Sequence, residues 1–244
     1  MRYKLTIAYD GTNYCGWQVQ ENAQSIQALV QKALQTVLRH PLDLTGSSRT
    51  DAGVHASGQT AHFDTDVTID LGKLRISLNA LLPPDIRISE ITPTDPNFHA
   101  RYSATSKIYH YNLHLDPVSD PFTNLYRHQV YGPFDIEKLK LASQFFVGTH
   151  DFTSFANVKE VPQSDAIRTI TRIDIVPQKG GLRIEFEGDG FLYKMVRNIT
   201  GTLLDVAAGK LNAEEIPQIF AHRDRRKAGS SAPALGLFLI KIIY

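Results

Sequence analysis

The chain has one cysteine in 244 residues. Cys15 closes no internal disulfide, so packing must hold the fold, and a reducing cytoplasm is the expected setting. No apolar run is long enough to span a bilayer, and the start, MRYKLTIAYDG, is too polar after Ala8 for a secretory leader. Charge of neither sign dominates: 26 Lys and Arg against 25 Asp and Glu leave +1. A surface that is basic throughout is excluded, so any polyanion site must come from local clusters of cations. Paired cysteines and an HExxH stretch are missing. His110 and His114 share a strand face, but four residues of strand span about 13 Å, too far to chelate one ion. A Gly-rich phosphate loop is missing too, since Gly188-Asp189-Gly190 precedes a helix without the remaining positions. No serine or cysteine lies in a nucleophile elbow. Neither a metal nor a cofactor is expected.

What is present is an ordinary globular composition, 42% apolar, at a length that suits one large domain or two packed halves. Tyr3 to Tyr9 alternates as a strand, and Asp10-Gly11-Thr12-Asn13 turns the chain. Trp17 sits in a polar loop and is expected as a buried anchor, with base contact the alternative. Ile26, Leu29, Val30, Ala33, Leu34, Val37 and Leu38 form one helical face, capped by Ser25 or Asn22 and stopped by Pro41 after His40. Two strands, 42–45 and 60–63, follow. A second helix has Asp70 as cap, Leu71, Leu74, Leu78 and Leu81 as its face, and Pro83-Pro84 as its stop. Ile86-Arg87-Ile88 begins a fourth strand.

This order, strand-helix-strand-strand-helix-strand, predicts a ferredoxin-like half. A Pro- and Ser/Thr-rich crossing, 92–106, carries Phe98-His99-Ala100-Arg101. Beyond it the spacing predicts strands over 108–115, 126–131, 171–175, 182–186 and 235–243. Helices are predicted from Asp135 to near Gly148, from Phe191 through Leu204, and around Ile216 to Phe220. A long loop from His150 to Ala166 is anchored by Phe152 and Phe155. The expected fold class is therefore α+β, two ferredoxin-like halves joined into a mixed, mostly antiparallel sheet backed by helices. Residues 1–103 form one half and 104–244 the other, completing a central cleft suited to a large substrate.

The first half is organised around a loop at 46–58, where Arg49 and Asp51 stand among Gly46, Ser47, Ser48, Ala52, Gly53, Ala56, Ser57 and Gly58. Small residues let something large approach the backbone, and a loop fixed at both ends can aim a carboxylate. A solvated turn with Gly53 at positive φ explains the same residues, and local chemistry leaves both readings open. Basic patches (Arg101 with Lys107, Lys194 with Arg197, Arg223 to Lys227) and aromatic strand residues such as Tyr109 are compatible with RNA, because arginines hold phosphates and aromatics stack on displaced bases. The run near Arg225 is the least ambiguous of these patches. An RNA-binding module without catalysis fits these features too. An aspartate-dependent RNA hydrolase needs a metal or second acid that the sequence does not offer.

Six blocks then carry a family likeness: YDGTNYCGWQVQ (9–20), RTDAGVHASGQ (49–59), FHARYSATSKIYHY (98–111), DFTSF (151–155), GFLYKMVRNITG (190–201) and APALGL (232–237). In these blocks, and in their order, the chain closely resembles the tRNA pseudouridine synthase A family. Ser48 departs from the glycine usual before the arginine. The resemblance implies isomerisation of uridine to pseudouridine at positions 38, 39 and 40 of the tRNA anticodon arm, without cofactor or metal, by a homodimer that binds one tRNA across both subunits. It implies Asp51 as nucleophile, Tyr109 as the tyrosine that stacks on the target base and can act as a catalytic base, Arg197 as the catalytic cation paired with the aspartate, Leu192 as an apolar contact to the pyrimidine and Arg49 as the residue that opens the stem and takes the space of the flipped base. His55, Arg101 and Lys107 complete the expected substrate-binding set. The chemistry suits these types: the carboxylate must be ionised to attack, and a uridine must leave its stack to be reached.

Overall fold

The alternating start of the chain becomes β1 (Arg2–Tyr9) in the computed structural model, which describes residues 1–157 and 166–244. Tyr3, Leu5, Ile7 and Tyr9 are buried and the residues between them half-exposed. Two units divide the chain: Met1–Thr105 with Phe238–Tyr244, and Ser106–Leu237. Among the described residues, no helix is long and apolar enough to cross a membrane.

In the first unit, α1 (Ile26–Leu38) begins where its cap is: the Ser25 side chain accepts from the Ala28 amide. Its face buries Ile26, Val30, Ala33 and Leu34, the three larger side chains each worth up to about 1.5–3 kcal/mol. The helix ends before His40, not after it. Arg39 turns left-handed at φ 60° and its amide closes on the Gln35 carbonyl, so the chain has left the helix before Pro41 acts.

Two further elements are β2 (Thr45–Gly46) and β3 (His55–Asp64). The expected strand over 42–45 shrinks to those two residues, because Leu42 and Leu44 carbonyls are taken by the Gln35 and Gln27 side chains. The strand after the loop starts earlier than expected, at His55, which shortens the loop itself to 47–54. Helix α2 (Leu71–Leu81) is capped by Asp70 and buries Leu74 and Leu78, but Leu81 is exposed, against expectation, while Leu82 just beyond the helix is buried. Strand β4 (Ile86–Pro93) pairs antiparallel with β1, and β1 with β3. β2 lies antiparallel on the far edge of β3, so β4-β1-β3-β2 is the ferredoxin-like order predicted from the pattern. The last strand, β10 (Leu237–Ile243), shares that edge of β3 at its other end, parallel, with Phe238 opposite His55 and Leu239 opposite Ala56.

The second unit holds β5 (Ser106–His114), β6 (His128–Gln129), α3 (Ile136–Gln144), β7 (Gly148–Asp151), β8 (Ile167–Gln178), β9 (Gly181–Gly188), α4 (Met195–Ala207) and α5 (Ile216–His222). Its sheet runs β5-β9-β8-β7, all antiparallel, with β6 parallel on the outer edge of β5. Tyr109, Tyr111 and Leu113 share one buried face of β5 as predicted. Three expectations change. The strand at 126–131 is two residues long. Residues 148–151, read partly as helix end and partly as loop, are strand, held by pairing to 167–170. Helix α4 starts at Met195, not at Phe191, because Lys194 sits at φ 61° and breaks the run. Phe152 and Phe155 are fully buried anchors, packed with Phe146 and Phe220. The rest of the loop expected after them, 158–165, lies outside the described residues.

Candidate active site

The loop at 47–54 is tied at nearly every residue. The Ser47 amide donates to the Thr60 carbonyl at 2.8 Å, and the Gln59 side chain, fully buried, donates to the Ser48 carbonyl at 2.6 Å. The Val54 amide closes a turn on the Asp51 carbonyl at 3.1 Å, and the Gly53 amide reaches the Tyr14 carbonyl at 3.3 Å. Gly53 takes φ 76°, the left-handed turn that the sequence anticipates. Arg49 is exposed and Asp51 half-exposed. The result is a carboxylate on a braced turn beside a solvent-facing guanidinium.

The small residues have a different purpose from the one expected of them. A Cβ on Gly16 would meet the Thr50 carbonyl at 2.3 Å, on Gly46 the Trp17 indole at 2.3 Å and on Gly58 the Ile240 carbonyl at 2.2 Å. The protein's own chain, not an incoming ligand, occupies the space that these glycines leave. Trp17 is 1% exposed and is the loop's anchor, as expected.

His55 needs a correction. It is 1% exposed, stacks on Phe238 at 4.5 Å, and its Nδ1 lies 3.0 Å from both the Gly11 amide, which donates to it, and an Asp10 carboxylate oxygen. Enclosed in this way, it braces the end of the loop and does not present a face to substrate. Tyr14 supports the same turn: its hydroxyl donates to Asp85 at 2.6 Å, and burial, reinforced by that carboxylate, pushes the phenol well above its usual range. On β3, His62 accepts from the Ala100 amide and lies edge-on to Phe98 and His99. Burial, with Arg2 and His99 nearby, lowers its pKa to about 4. Arg101 is exposed, its guanidinium 5.6 Å from the Tyr102 ring.

In the second unit, Tyr109 is 6% exposed, with Phe191 edge-on at 5.1 Å and 77°. The early break of α4 is what frees Phe191 to reach it. Leu192 is half-buried in the same bend, its carbonyl accepting from the Met195 amide at 3.0 Å. Arg197 lies on the first turn of α4 in a reciprocal clamp: its Nε donates to the Ala232 carbonyl at 2.7 Å, and the Ala232 amide donates back to the Arg197 carbonyl at 3.0 Å. Lys107, half-exposed, stands opposite Gly188 on β5.

The basic run, compatible with RNA by its sequence, sends Arg225 inward and leaves Arg223, Arg226 and Lys227 exposed. Arg225 donates to Asn157 Oδ1 at 3.2 Å, Asn198 Oδ1 at 2.9 Å, Ser231 Oγ at 3.3 Å and the Ala228 carbonyl at 3.2 Å; burial lowers its pKa. Arg223 pairs with Asp151 at 3.0 Å and Arg226 with Asp224 at 2.7 Å. Asn198, fully buried, is the hub that the sequence hid. It also donates to the Phe155 carbonyl and to Asn157, and accepts from Ser231. An asparagine within an apolar-periodic helix has no local signature of that role.

Chemically, the first unit offers an oriented carboxylate, and the second a buried phenol ring and a fixed guanidinium. Set beside known proteins, the chain matches the family described as tRNA pseudouridine synthase over residues 5–103 and 142–244. It is 57% identical to tRNA pseudouridine synthase A 1 of Protochlamydia amoebophila, over 99% of this chain and 96% of that protein. It is 42% identical to tRNA pseudouridine synthase A of Acetivibrio thermocellus (99% and 98%) and 43% identical to that of Bacillus licheniformis (100% and 99%).

Proposed function

The chain belongs to the tRNA pseudouridine synthase family, and from that premise we propose that it isomerises uridine to pseudouridine in the anticodon arm of tRNA, at positions 38, 39 and 40, with Asp51 as nucleophile. The observation that carries this reading is the braced 47–54 turn, which presents a half-exposed Asp51 carboxylate beside an exposed Arg49. The reaction is an isomerisation. The bond from uracil N1 to the sugar's anomeric carbon breaks, the base turns, C5 bonds to that carbon, and the C5 proton leaves while N1 gains one. A carboxylate serves as nucleophile at the anomeric carbon or, in the alternative route, at ring carbon 6; both need it ionised and aimed. In this reading Tyr109 stacks on the displaced base, Arg197 supports the ionised aspartate, Leu192 contacts the pyrimidine and Arg49 opens the stem, with Arg101 and Lys107 on the RNA backbone. The enzyme acts as a homodimer in the cytoplasm.

Release of tritium from tRNA carrying uridine labelled at carbon 5 tests the proposal. Wild-type protein releases it; Asp51→Asn binds tRNA but turns over about 10³-fold more slowly or less, as expected on removing a nucleophile. Binding by the wild type without any release would favour a non-catalytic RNA-binding module. Retained release by the variant would remove Asp51 from the mechanism.

A further inference from the structure

Thr50 stands between Arg49 and Asp51 and faces the other way. Arg49 is exposed and Asp51 half-exposed, whereas Thr50 is 8% exposed. Two groups hold it from behind. The Tyr9 hydroxyl, at the last residue of β1, lies 2.8 Å from Thr50 Oγ1, and the Trp17 amide donates to the Thr50 carbonyl at 3.1 Å. Tyr9 is itself 4% exposed and stacks on Trp17 at 6.2 Å. Trp17 is fixed in turn, its carbonyl accepting from the Gln27 amide in the first turn of α1 at 3.0 Å. A Cβ on Gly16 would come within 2.3 Å of the Thr50 carbonyl oxygen, so only glycine fits against it. The end of β1 and the start of α1 thus converge on one threonine.

We propose that Thr50 is a positioning residue for the isomerisation, latched by Tyr9 so that the Asp51 carboxylate and the Arg49 guanidinium leave the loop in one direction. The inference rests on the reading of Asp51 as nucleophile. A hydrogen bond between two buried hydroxyls is directional, and a methyl group in place of Oγ1 fills the space without holding the peptide. Misplacing a reacting group by the order of 1 Å costs about 10²-fold in rate. Affinity for tRNA, spread over many phosphate contacts, is not expected to follow.

The test uses full-length Thr50→Val, Thr50→Ser and Tyr9→Phe. It measures kcat and KM for tritium release, together with hydrogen exchange at the Gly53 and Val54 amides. Thr50→Val is expected to lower kcat by about 10- to 100-fold with KM within about twofold of wild type. Thr50→Ser, which keeps the hydroxyl, is expected to recover most of that loss, and Tyr9→Phe to reproduce the Thr50→Val defect because it removes the same bond. Turnover of Thr50→Val within about twofold of wild type overturns the proposal, as does a serine variant no better than valine, or a defect confined to KM. If Thr50→Val does not fold, Tyr9→Phe is judged by the same criteria. Wild-type protein that releases no tritium overturns the isomerase reading instead. The latch is then judged by exchange alone: faster Gly53 and Val54 exchange in Thr50→Val supports it, and unchanged exchange overturns it.

Discussion

The loop at 47–54 and the basic run at 222–227 are both polar stretches that invite a functional reading, and the fold treats them in opposite ways. In the loop the backbone and Thr50 are bound from behind, while Arg49 is exposed and Asp51 half-exposed. In the basic run Arg225 turns back onto Asn157, Asn198 and Ser231, while Arg223 and Arg226 stay exposed and pair with Asp151 and Asp224. Charge density along a sequence is therefore a poor guide to what a residue contacts. What matters is whether the fold brings acceptors within reach. Arg225 finds them in the second unit and is structural, whereas Arg223, Arg226 and Lys227 keep their exposure.

The comparison is most easily broken at Gly16. Its φ of 89°, and the 2.3 Å at which an added Cβ would meet the Thr50 carbonyl oxygen, mean that Gly16→Ala must strain the loop's support. A loss of about 3 kcal/mol or more is expected in urea denaturation, with activity lost as well. A stability within about 1 kcal/mol of wild type would show that the bracing is slack. The basic run gives a smaller, graded pair. Arg225→Gln strips donors from the buried Asn198 carbonyl oxygen and is expected to lower stability by about 1–3 kcal/mol. Arg226→Ala, on an exposed pair with Asp224, is expected to change it by less than about 1 kcal/mol. Equal effects would erase the distinction between inward and outward arginines.

The strand behind the loop carries a pH signature. His62 is buried, and its pKa in the folded protein, about 4, lies below the ordinary 6.5. The unfolded chain therefore binds a proton at His62 that the folded chain refuses, and stability falls as pH drops from about 6.5 towards about 4. The slope reaches at most about 1.4 kcal/mol per pH unit. His62→Gln is expected to flatten that part of the curve, and an unchanged slope would assign it to other groups.

The site was legible in the sequence to the extent that its signals were local. Ser25, the 3.6-residue spacing to Leu38, Asp70 and Gly53 each announce their role through immediate neighbours, and the structure agrees on all four. The strand at 148–151 was not legible, since Gly-Thr-His-Asp has neither alternation nor apolar content and is strand because 167–170 pairs with it. His55 belongs to the motif that carries the family likeness and was expected at the substrate. It is enclosed by Phe238, which lies in the last strand of the chain. Thr50 carried no signal at all, because a threonine in a polar loop is unremarkable until Tyr9, 41 residues earlier, is placed against it.

By itself the sequence determined most of the elements and their order, the family to which the chain belongs, and the carboxylate at the centre of its key loop. Periodicity, caps and motif all act over a few neighbouring residues, or match whole blocks at once. Only the tertiary structure decided which way the polar groups face. Hydrogen bonds such as Tyr9 to Thr50 and Arg225 to Asn198 join residues 41 and 27 positions apart, and they exist only once the chain has closed on itself.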